Sequence, residues 1–172
     1  MLLPWSSDDV ALLADLGADR RVVRYVGLGQ PWPAARAIEV SDACVRHWHD
    51  HGFGWRTIVS KRTGAKVGLL ALNFLADGAV GVSADAHEIG WWLHPDHWGI
   101  GYATEAARAV ADDSFQRLRF PELTARIQKP NRASIAVARS LGMTHLLDTT
   151  GRFGEPCAVY RVQRPDLRAA DG

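Results

Sequence analysis

The sequence predicts an α/β protein of the α+β type, with a single mixed, twisted sheet of about six to seven strands flanked by about four helices. Two apolar runs joined by the turn residues Lys61–Gly64 predict an antiparallel hairpin. Between Glu88 and Ile127 follow a strand, a loop, a helix and a second strand, the order of a βαβ unit with parallel strands. The 172 residues include no linker-like stretch, so we expect one domain over residues 1–172.

The first half of the chain contains signals for two helices and two strands. Ser6–Asp9 offers an N-cap and acidic residues for a first helical turn, just before an apolar repeat with helical spacing. Asp77–Gly78 is a turn signal that closes the hairpin region. The elements expected here are helices over residues 7–16 and 34–50 and strands over residues 55–59 and 66–75.

The second half contains the βαβ unit and a terminal pair of strands. Pro95 stops the first strand, and small apolar residues at helical spacing favour a helix that packs closely on the sheet. Asn131 is a good N-cap for a short helix, and Gly142 is a good stop for it. The expected elements are strands over 88–93, 123–127, 145–149 and 157–163 and helices over 102–117 and 131–141.

Composition and charge exclude several classes of protein. With 47% hydrophobic and 23% charged residues the chain can form a core, and a formal charge of +1 gives no reason to expect nucleic acid or an anionic membrane as partner. Apolar runs such as Val67–Leu72 are much shorter than the roughly 20 residues of a membrane span. We therefore expect a cytoplasmic protein, with Cys44 and Cys157 as buried free thiols.

Two glycines, Gly99 and Gly101, stand where the strand ending at Leu93 leads into the helix beginning at Tyr102. Glycines let the backbone approach a phosphate, and the first amides of a helix attract anions. By itself this spacing fits a tight strand-to-helix turn equally well. No Gly-Lys-Ser/Thr motif is present, so a nucleoside triphosphate loop is not indicated.

Further motifs surround the glycines. In order they are Glu88-Ile89-Gly90-Trp91-Trp92-Leu93-His94-Pro95, Trp98-Gly99-Ile100-Gly101-Tyr102-Ala103-Thr104-Glu105-Ala106, Asn131-Arg132-Ala133-Ser134 and Leu141-Gly142-Met143. Together they closely resemble the GNAT superfamily of acetyltransferases, especially its RimJ/RimL-like branch. The resemblance implies the GNAT fold, with a cleft between the two central parallel strands.

The resemblance also implies an activity and its partners. Members transfer an acetyl group from acetyl-CoA, a co-substrate, to a primary amine by direct attack on the thioester, without a metal. The acceptor can be a protein N-terminal α-amine, a small-molecule amine or an antibiotic amine, and the sequence does not choose among them. We expect a monomer or homodimer. The residues that the resemblance assigns to acetyl-CoA are Trp92, Leu93, His94, Trp98, Gly99, Ile100, Gly101, Tyr102, Ala103, Thr104 and Asn131, with the oxyanion bound by backbone amides around Trp92–His94.

Two side chains are candidates for proton transfer. Acetyl transfer to an amine needs a base for the ammonium and a proton for the departing thiolate. Glu88, at the start of the cleft strand, can serve as the base through a water molecule, although a solvated carboxylate at the end of a strand fits as well. Ser134 matches a serine of the RimJ/RimL-like branch that can donate to the sulfur, or it is an ordinary serine at the start of a helix.

The chain departs from the family pattern at three places. Asp96 replaces the Gln or Arg common three residues before the first loop glycine, which removes a favourable side chain beside an anion. Ala138 stands where many members have the Tyr that acts as general acid. Few residues precede Trp5, so we expect a short first strand with uncertain pairing.

Aromatic and histidine residues suggest weaker roles. Trp32 and Trp55 fall in segments that flank the acceptor groove of relatives and are candidates for substrate binding, or they are core aromatics. His47 and His51 would share a helix face, but we expect no metal there. Two alternative functions stay open: a CoA-binding regulatory module without catalysis, and a transferase for a longer acyl-CoA or to an oxygen acceptor.

Overall fold

The computed structural model describes residues 1–75, 82, 86–151 and 153–165. Within these residues the chain forms seven strands, five α-helices and two short 3-10 turns. The strands are β1 (Leu2–Pro4), β2 (Arg56–Val59), β3 (Lys66–Phe74), β4 (His87–Leu93), β5 (Glu122–Gln128), β6 (Thr144–Thr150) and β7 (Pro156–Gln163). The helices are α1 (Val10–Ala18), α2 (Arg20–Val23), α3 (Ala34–His51), α4 (Tyr102–Gln116) and α5 (Arg132–Ser140).

All seven strands belong to one sheet in the order β1-β2-β3-β4-β5-β7-β6. Every pair of neighbours is antiparallel except β4 and β5, which are parallel. The connection between these two strands contains α4, as a parallel connection requires a crossover. The predicted hairpin and the predicted βαβ unit are therefore both confirmed, and so is the mixed sheet.

The two parallel strands separate soon after they begin. Their register contains only His87 opposite Leu123 and Glu88 opposite Thr124. Beyond that point β4 continues to pair with β3, and β5 continues to pair with β7. Because each strand keeps its other neighbour, the sheet stays intact while its centre opens into a cleft.

The helices cover the sheet from two sides. On one side α4 and α5 bury a large apolar core that includes Val110 and Ile135. On the other side α1 and α3 bury a second core around Leu13 and Leu16, against Leu69 of β3. These side chains are at most 9% exposed, so both faces of the central strands are shielded from water. The cleft thus opens between two packed helical layers.

Helix ends follow the predicted signals. The Asn131 side chain caps α5 by accepting a hydrogen bond from Ser134 N at 3.1 Å. Gly142, with φ 75°, follows the end of α5 and donates its N–H to Arg139 O. The capping role of Asn131 and the stop at Gly142 are therefore confirmed.

Predicted boundaries differ from the observed ones by at most two residues, and three elements at the start of the chain add detail. The first helix is a 3-10 turn over Ser7–Asp9 followed by α1, which continues to Ala18. The short first strand, whose pairing was uncertain from sequence, pairs with β2 through all three of its residues. Helix α2 was not predicted, because four residues are too few to show a helical period.

Three further predictions concern a turn, the two cysteines and membrane-spanning helices. The predicted turn at Asp77–Gly78 lies outside the described residues. Cys44 and Cys157 are buried free thiols, as predicted, and burial raises the pKa of the Cys44 thiol to about 12. Among the described residues, no helix combines the length and the apolar character needed to cross a membrane.

Candidate functional site

A cavity of about 800 Å³ lies in the cleft between β4 and β5. Residues 89–93 of β4 and residues 125–128 of β5 form two of its walls. These are the parts of the two strands that have no register partner in each other. The opening of the sheet therefore creates the cavity, and its volume is typical of sites for small molecules and cofactors.

The direction of the β4 amides follows from one hydrogen bond at the end of the strand. His94 N donates to Val67 O at 3.0 Å, on the side of β3. Along an antiparallel strand, alternate residues direct their peptide groups to the same neighbour, so Trp92 shares the direction of His94. The peptide groups of Trp91 and Leu93 therefore point away from β3, toward the cavity. Of the predicted backbone donors around Trp92–His94, only Leu93 directs its amide to the cleft, and the expectation for the amides of Trp92 and His94 is corrected.

The loop before α4 is shaped by two glycines in the left-handed region of backbone conformation. Gly99 has φ 76° and Gly101 has φ 92°, and a Cβ atom at either position would meet no atom within 4 Å. Glu105 N donates to Gly101 O at 3.0 Å, so the amides of residues 102–104 precede the first helical hydrogen bond. Open space beside unpaired amides at the positive end of a helix fits the pyrophosphate of CoA.

Most of the predicted cofactor residues meet at this cavity. Those that line it are Trp92, Leu93, Trp98, Gly99, Gly101, Tyr102, Ala103, Thr104 and Asn131. The indole of Trp98 is fixed by a hydrogen bond from Nε1 to Leu93 O at 2.9 Å. Ile100 and His94 are not among the described lining residues: Ile100 is 65% exposed, and His94 Nδ1 lies 3.5 Å from a carboxylate oxygen of Asp96.

Replacing Gly101 with Val is expected to lower both stability and affinity for acetyl-CoA. The φ of 92° strains any residue with a Cβ, at a cost of about 1–2 kcal/mol in the free energy of unfolding. The new side chain would also fill the space beside the unpaired amides. We expect affinity for acetyl-CoA to fall at least about tenfold, measured by calorimetry at a temperature where the variant is folded.

Gly64→Val is the matched control for this variant. Gly64 has φ 73° and equally open surroundings, but it lies in the turn between β2 and β3, outside the lining of the cavity. It should lose similar stability and keep the parental affinity. Equal affinity in Gly101→Val and Gly64→Val would show that the Gly99–Gly101 loop is only a turn.

Ser134 lies at the opposite wall of the cavity, in the first turn of α5. Its amide is bonded to the Asn131 side chain, and both residues line the cavity. No hydrogen-bond partner for its hydroxyl is found among the described residues. Ala138, one turn later, is fully buried in the core and offers no polar group to the cavity. Ser134 is therefore the hydroxyl that α5 presents here.

Glu88 sits where β4 and β5 begin to separate. Its carboxylate accepts two hydrogen bonds from the Arg126 guanidinium, at 2.8 Å from Nε and 3.1 Å from Nη2. The two side chains are 23% and 20% exposed. Arg126 lines the cavity, whereas Glu88 is not among the described lining residues. The carboxylate is thus held at the closed end of the cleft by a partner that the sequence did not reveal.

Helix α2 and the turn after it add residues that the sequence did not predict. Arg20, Arg21, Arg24 and Tyr25 line the cavity. Gln128 at the end of β5 donates from Nε2 to Gly27 O at 2.8 Å and so ties this segment to the sheet. No periodic pattern or motif marks residues 20–27, and tertiary contacts with α1 and β5 bring them to the site.

The two tryptophans predicted to contact substrate pack against other tryptophans. Trp32 packs edge-on against Trp92, with ring centroids 5.0 Å apart, and Trp55 packs edge-on against Trp5 at 5.8 Å. Neither Trp32 nor Trp55 is among the described residues that line the cavity, so their contact with substrate stays a prediction.

His47 and His51 share one face of α3, with ring centroids 4.6 Å apart. Burial lowers the pKa of His47, and the nearby His51 adds to the effect. In the described part of the chain, no group of three or more His, Cys, Asp or Glu side chains is placed to hold a metal ion.

Known proteins resemble this chain at the level of a family and of single relatives. A family model described as an acetyltransferase (GNAT) domain matches residues 1–144. The FsC-acetyl coenzyme A-N(2)-transacetylase of Aspergillus fumigatus is 28% identical over 158 residues, which cover 90% of this chain and 66% of that protein. The chain therefore spans just under two-thirds of the length of this relative.

Solved structures share the architecture. An acetyltransferase from Agrobacterium tumefaciens is 30% identical, with a TM-score of 0.76 over 94% of this chain and 89% of that one. The spermidine N-acetyltransferase of Vibrio cholerae, solved in complex with CoA and spermine, is 16% identical, with a TM-score of 0.74 over 95% of both chains. At that identity the second likeness concerns the fold alone.

Proposed function

The chain belongs to the GNAT family of acetyltransferases, and from that premise we propose that it transfers an acetyl group from acetyl-CoA to a primary amine. The observation that carries the proposal is the separation of β4 from β5 beside the Gly99–Gly101 loop. This separation leaves amides of β4 and amides at the start of α4 facing one cavity. An elongated ligand with a phosphate group at one end and amide groups along its length matches this arrangement. Assignment to the RimJ/RimL-like branch stays a prediction, and so does the single domain over residues 1–172.

The binding of acetyl-CoA is proposed to use mainly backbone groups. Amides of residues 102–104 would hold the pyrophosphate, and the peptide group of Trp91 would pair with an amide of the pantetheine arm. The loop and first turn over residues 94–105 include no Lys or Arg, so side-chain charge plays little part at this point. Trp98 and Asn131 would position the arm from the two sides of the cleft.

Catalysis is proposed to use few side chains. Acetyl-CoA supplies the acetyl group as a thioester. Glu88 would accept a proton from the acceptor ammonium through a water molecule, so that the neutral amine attacks the carbonyl carbon and a C–N bond forms. The Leu93 amide would stabilise the negative charge that develops on the carbonyl oxygen. As the C–S bond breaks, Ser134 or a water molecule that it holds would give a proton to the thiolate, and the second proton lost by the acceptor nitrogen would restore that donor.

Acetyl-CoA is expected to stabilise the protein. A ligand that binds only the folded state adds RT ln(1 + [L]/Kd), which is about 2.7 kcal/mol at a hundredfold excess over Kd. A melting curve recorded with and without millimolar acetyl-CoA measures the effect. An unchanged melting temperature for a demonstrably folded sample would contradict acetyl-CoA as the ligand of the cavity.

A screen of amines and N-terminal peptides with acetyl-CoA, read as release of free CoA, tests the activity itself. Binding of acetyl-CoA without CoA release for any acceptor would favour the regulatory module. Faster release from propionyl-CoA or a longer acyl-CoA would favour the alternative acyl donor.

A further inference from the structure

The side chains around the cavity carry positive charge. Four arginines line it, and the described lining residues include no Asp or Glu. The cavity therefore attracts anions and disfavours an acceptor with several positive charges. This charge is local, because the whole chain carries a formal charge of only +1.

Two of the four guanidinium groups already have carboxylate partners. Arg21 is bonded to Asp19, with Nη2 2.6 Å from Oδ2, and the pKa of Arg21 is raised chiefly by these hydrogen bonds, with a contribution from Asp96. Arg126 is bonded to Glu88. The charges of Arg21 and Arg126 are therefore compensated by carboxylates of the same chain.

Arg20 and Arg24 form no ion pair with any described residue. They are four residues apart, at the first residue and the C-cap of α2, and two like charges at this spacing repel. Both are exposed at the mouth of the cavity, and the Arg24 guanidinium lies 5.1 Å from the centre of the Tyr25 ring. An anion between them would relieve the repulsion and accept hydrogen bonds from both.

Helix α2 and the predicted site of the CoA phosphates belong to layers on different faces of the sheet. Val22 of α2 packs with α1 and α3 on one face of the sheet. The start of α4 belongs to the layer on the other face, where Tyr102 and Ala103 pack against the core shared with α5. The amides at the α4 terminus can hold the phosphates, which leaves Arg20 and Arg24 on the side from which an acceptor would approach.

We propose that the acceptor is a small primary amine that carries an anionic group, a carboxylate or a phosphate, and that Arg20 and Arg24 bind this group. The proposal rests on the proposed acetyl transfer and narrows its substrate class. It excludes polyamines as preferred acceptors, because spermidine would bring three positive charges to a cavity that already carries uncompensated ones.

Acceptors of similar size that differ in charge test whether an anionic group favours acetylation. Butylamine, 4-aminobutyrate and 1,4-diaminobutane share a four-carbon chain, and ethanolamine and O-phosphoethanolamine form a second pair that separates phosphate from carboxylate. Acetyl-CoA is the donor, and release of free CoA is the readout. We expect kcat/KM for at least one amine that carries an anionic group to exceed kcat/KM for its partner without that group about tenfold or more. Spermidine and diaminobutane should be the poorest acceptors.

Arg20→Gln and Arg24→Gln test whether these arginines bind the anionic group. The control is Arg62→Gln, because Arg62 is an exposed arginine in the turn between β2 and β3. Each of the first two should lower kcat/KM for the anionic acceptor by a larger factor than kcat/KM for the amine without an anionic group, so that most of the preference is lost. The Kd for acetyl-CoA, measured by calorimetry, should change less than about twofold. Arg62→Gln should keep the preference.

Three results would overturn the proposal. Faster acetylation of spermidine, or of a peptide N-terminus with a blocked carboxyl end, would assign another acceptor class. Weaker binding of acetyl-CoA in both variants, with the acceptor preference unchanged, would assign the arginines to the phosphates of CoA. If acetyl-CoA binds but no amine of any charge is acetylated, the proposed acetyl transfer fails, and the acceptor class fails with it.

Discussion

Replacing Glu88 with Gln is expected to lower turnover by roughly 10²–10⁴-fold, the usual contribution of a general base. Glutamine keeps the size of the side chain but cannot take the ammonium proton. Binding of acetyl-CoA should persist, because Glu88 is not among the described residues that line the cavity. Activity should recover in part as pH rises, since free amine then becomes abundant without a base. Steady-state rates from pH 6 to 10 measure both effects.

The ion pair with Arg126 provides a second explanation, which matched variants separate. If Glu88 served only to hold Arg126, Arg126→Gln would lose as much activity as Glu88→Gln, and neither loss would shrink at high pH. Ser134→Ala should slow departure of the thiolate without recovery at high pH. Near-parental turnover and an unchanged pH profile in Glu88→Gln would mean that water alone deprotonates the acceptor.

Replacing Gly68 with Ala is expected to lower the free energy of unfolding by roughly 3 kcal/mol, at the upper end of the usual effect of overpacking. A Cβ at this position would collide with the carbonyl oxygen of Trp92 and would lie 2.9 Å from the Cα of Leu93. Both atoms belong to the backbone of β4, so no side chain can rotate away. Denaturation with urea measures the loss. Because Trp92 and Leu93 line the cavity, affinity for acetyl-CoA should fall as well.

Gly90→Ala is the matched control in the neighbouring strand. A Cβ there would have Ala71 Cβ at 3.8 Å as its nearest neighbour, an ordinary contact. Its stability should remain within about 0.5 kcal/mol of the parent. If Gly68→Ala proved as stable as Gly90→Ala, the spacing of β3 and β4 at Gly68 would be adaptable and the two strands less rigid than the contacts indicate.

Signals contained in a few consecutive residues predicted most of the fold. Period-two and helical patterns located the strands and the longer helices, and Asn131 and Gly142 marked the ends of α5 through their own backbone preferences. Helix α2 lacked such a signal. Its four residues are held by packing on α1 and by the bond between Gln128 and Gly27, which are 101 residues apart.

In the candidate site, too, local signals predicted some features, and long-range contacts determined others. The glycines before α4 and the amides after them form an anion cradle by local geometry, so the sequence alone indicated it. Local patterns could not show that Arg126, 38 residues after Glu88, is its partner. Nor could they show that Leu93, and not His94, directs its amide to the cavity, because that depends on which strand lies on each side of β4.

The amino-acid sequence by itself determined the mixed α and β class, the βαβ unit, the phosphate-type loop and the resemblance to GNAT acetyltransferases, since each depends on residues close together in the chain. Only the tertiary structure decided where β4 leaves β5, which amides line the opening, and how Arg20 and Arg24 reach it without a carboxylate partner among the described residues. The physical reason is that charge pairing and strand separation depend on distances in space, and residues far apart in the chain come together only when the sheet and its two helical layers have formed.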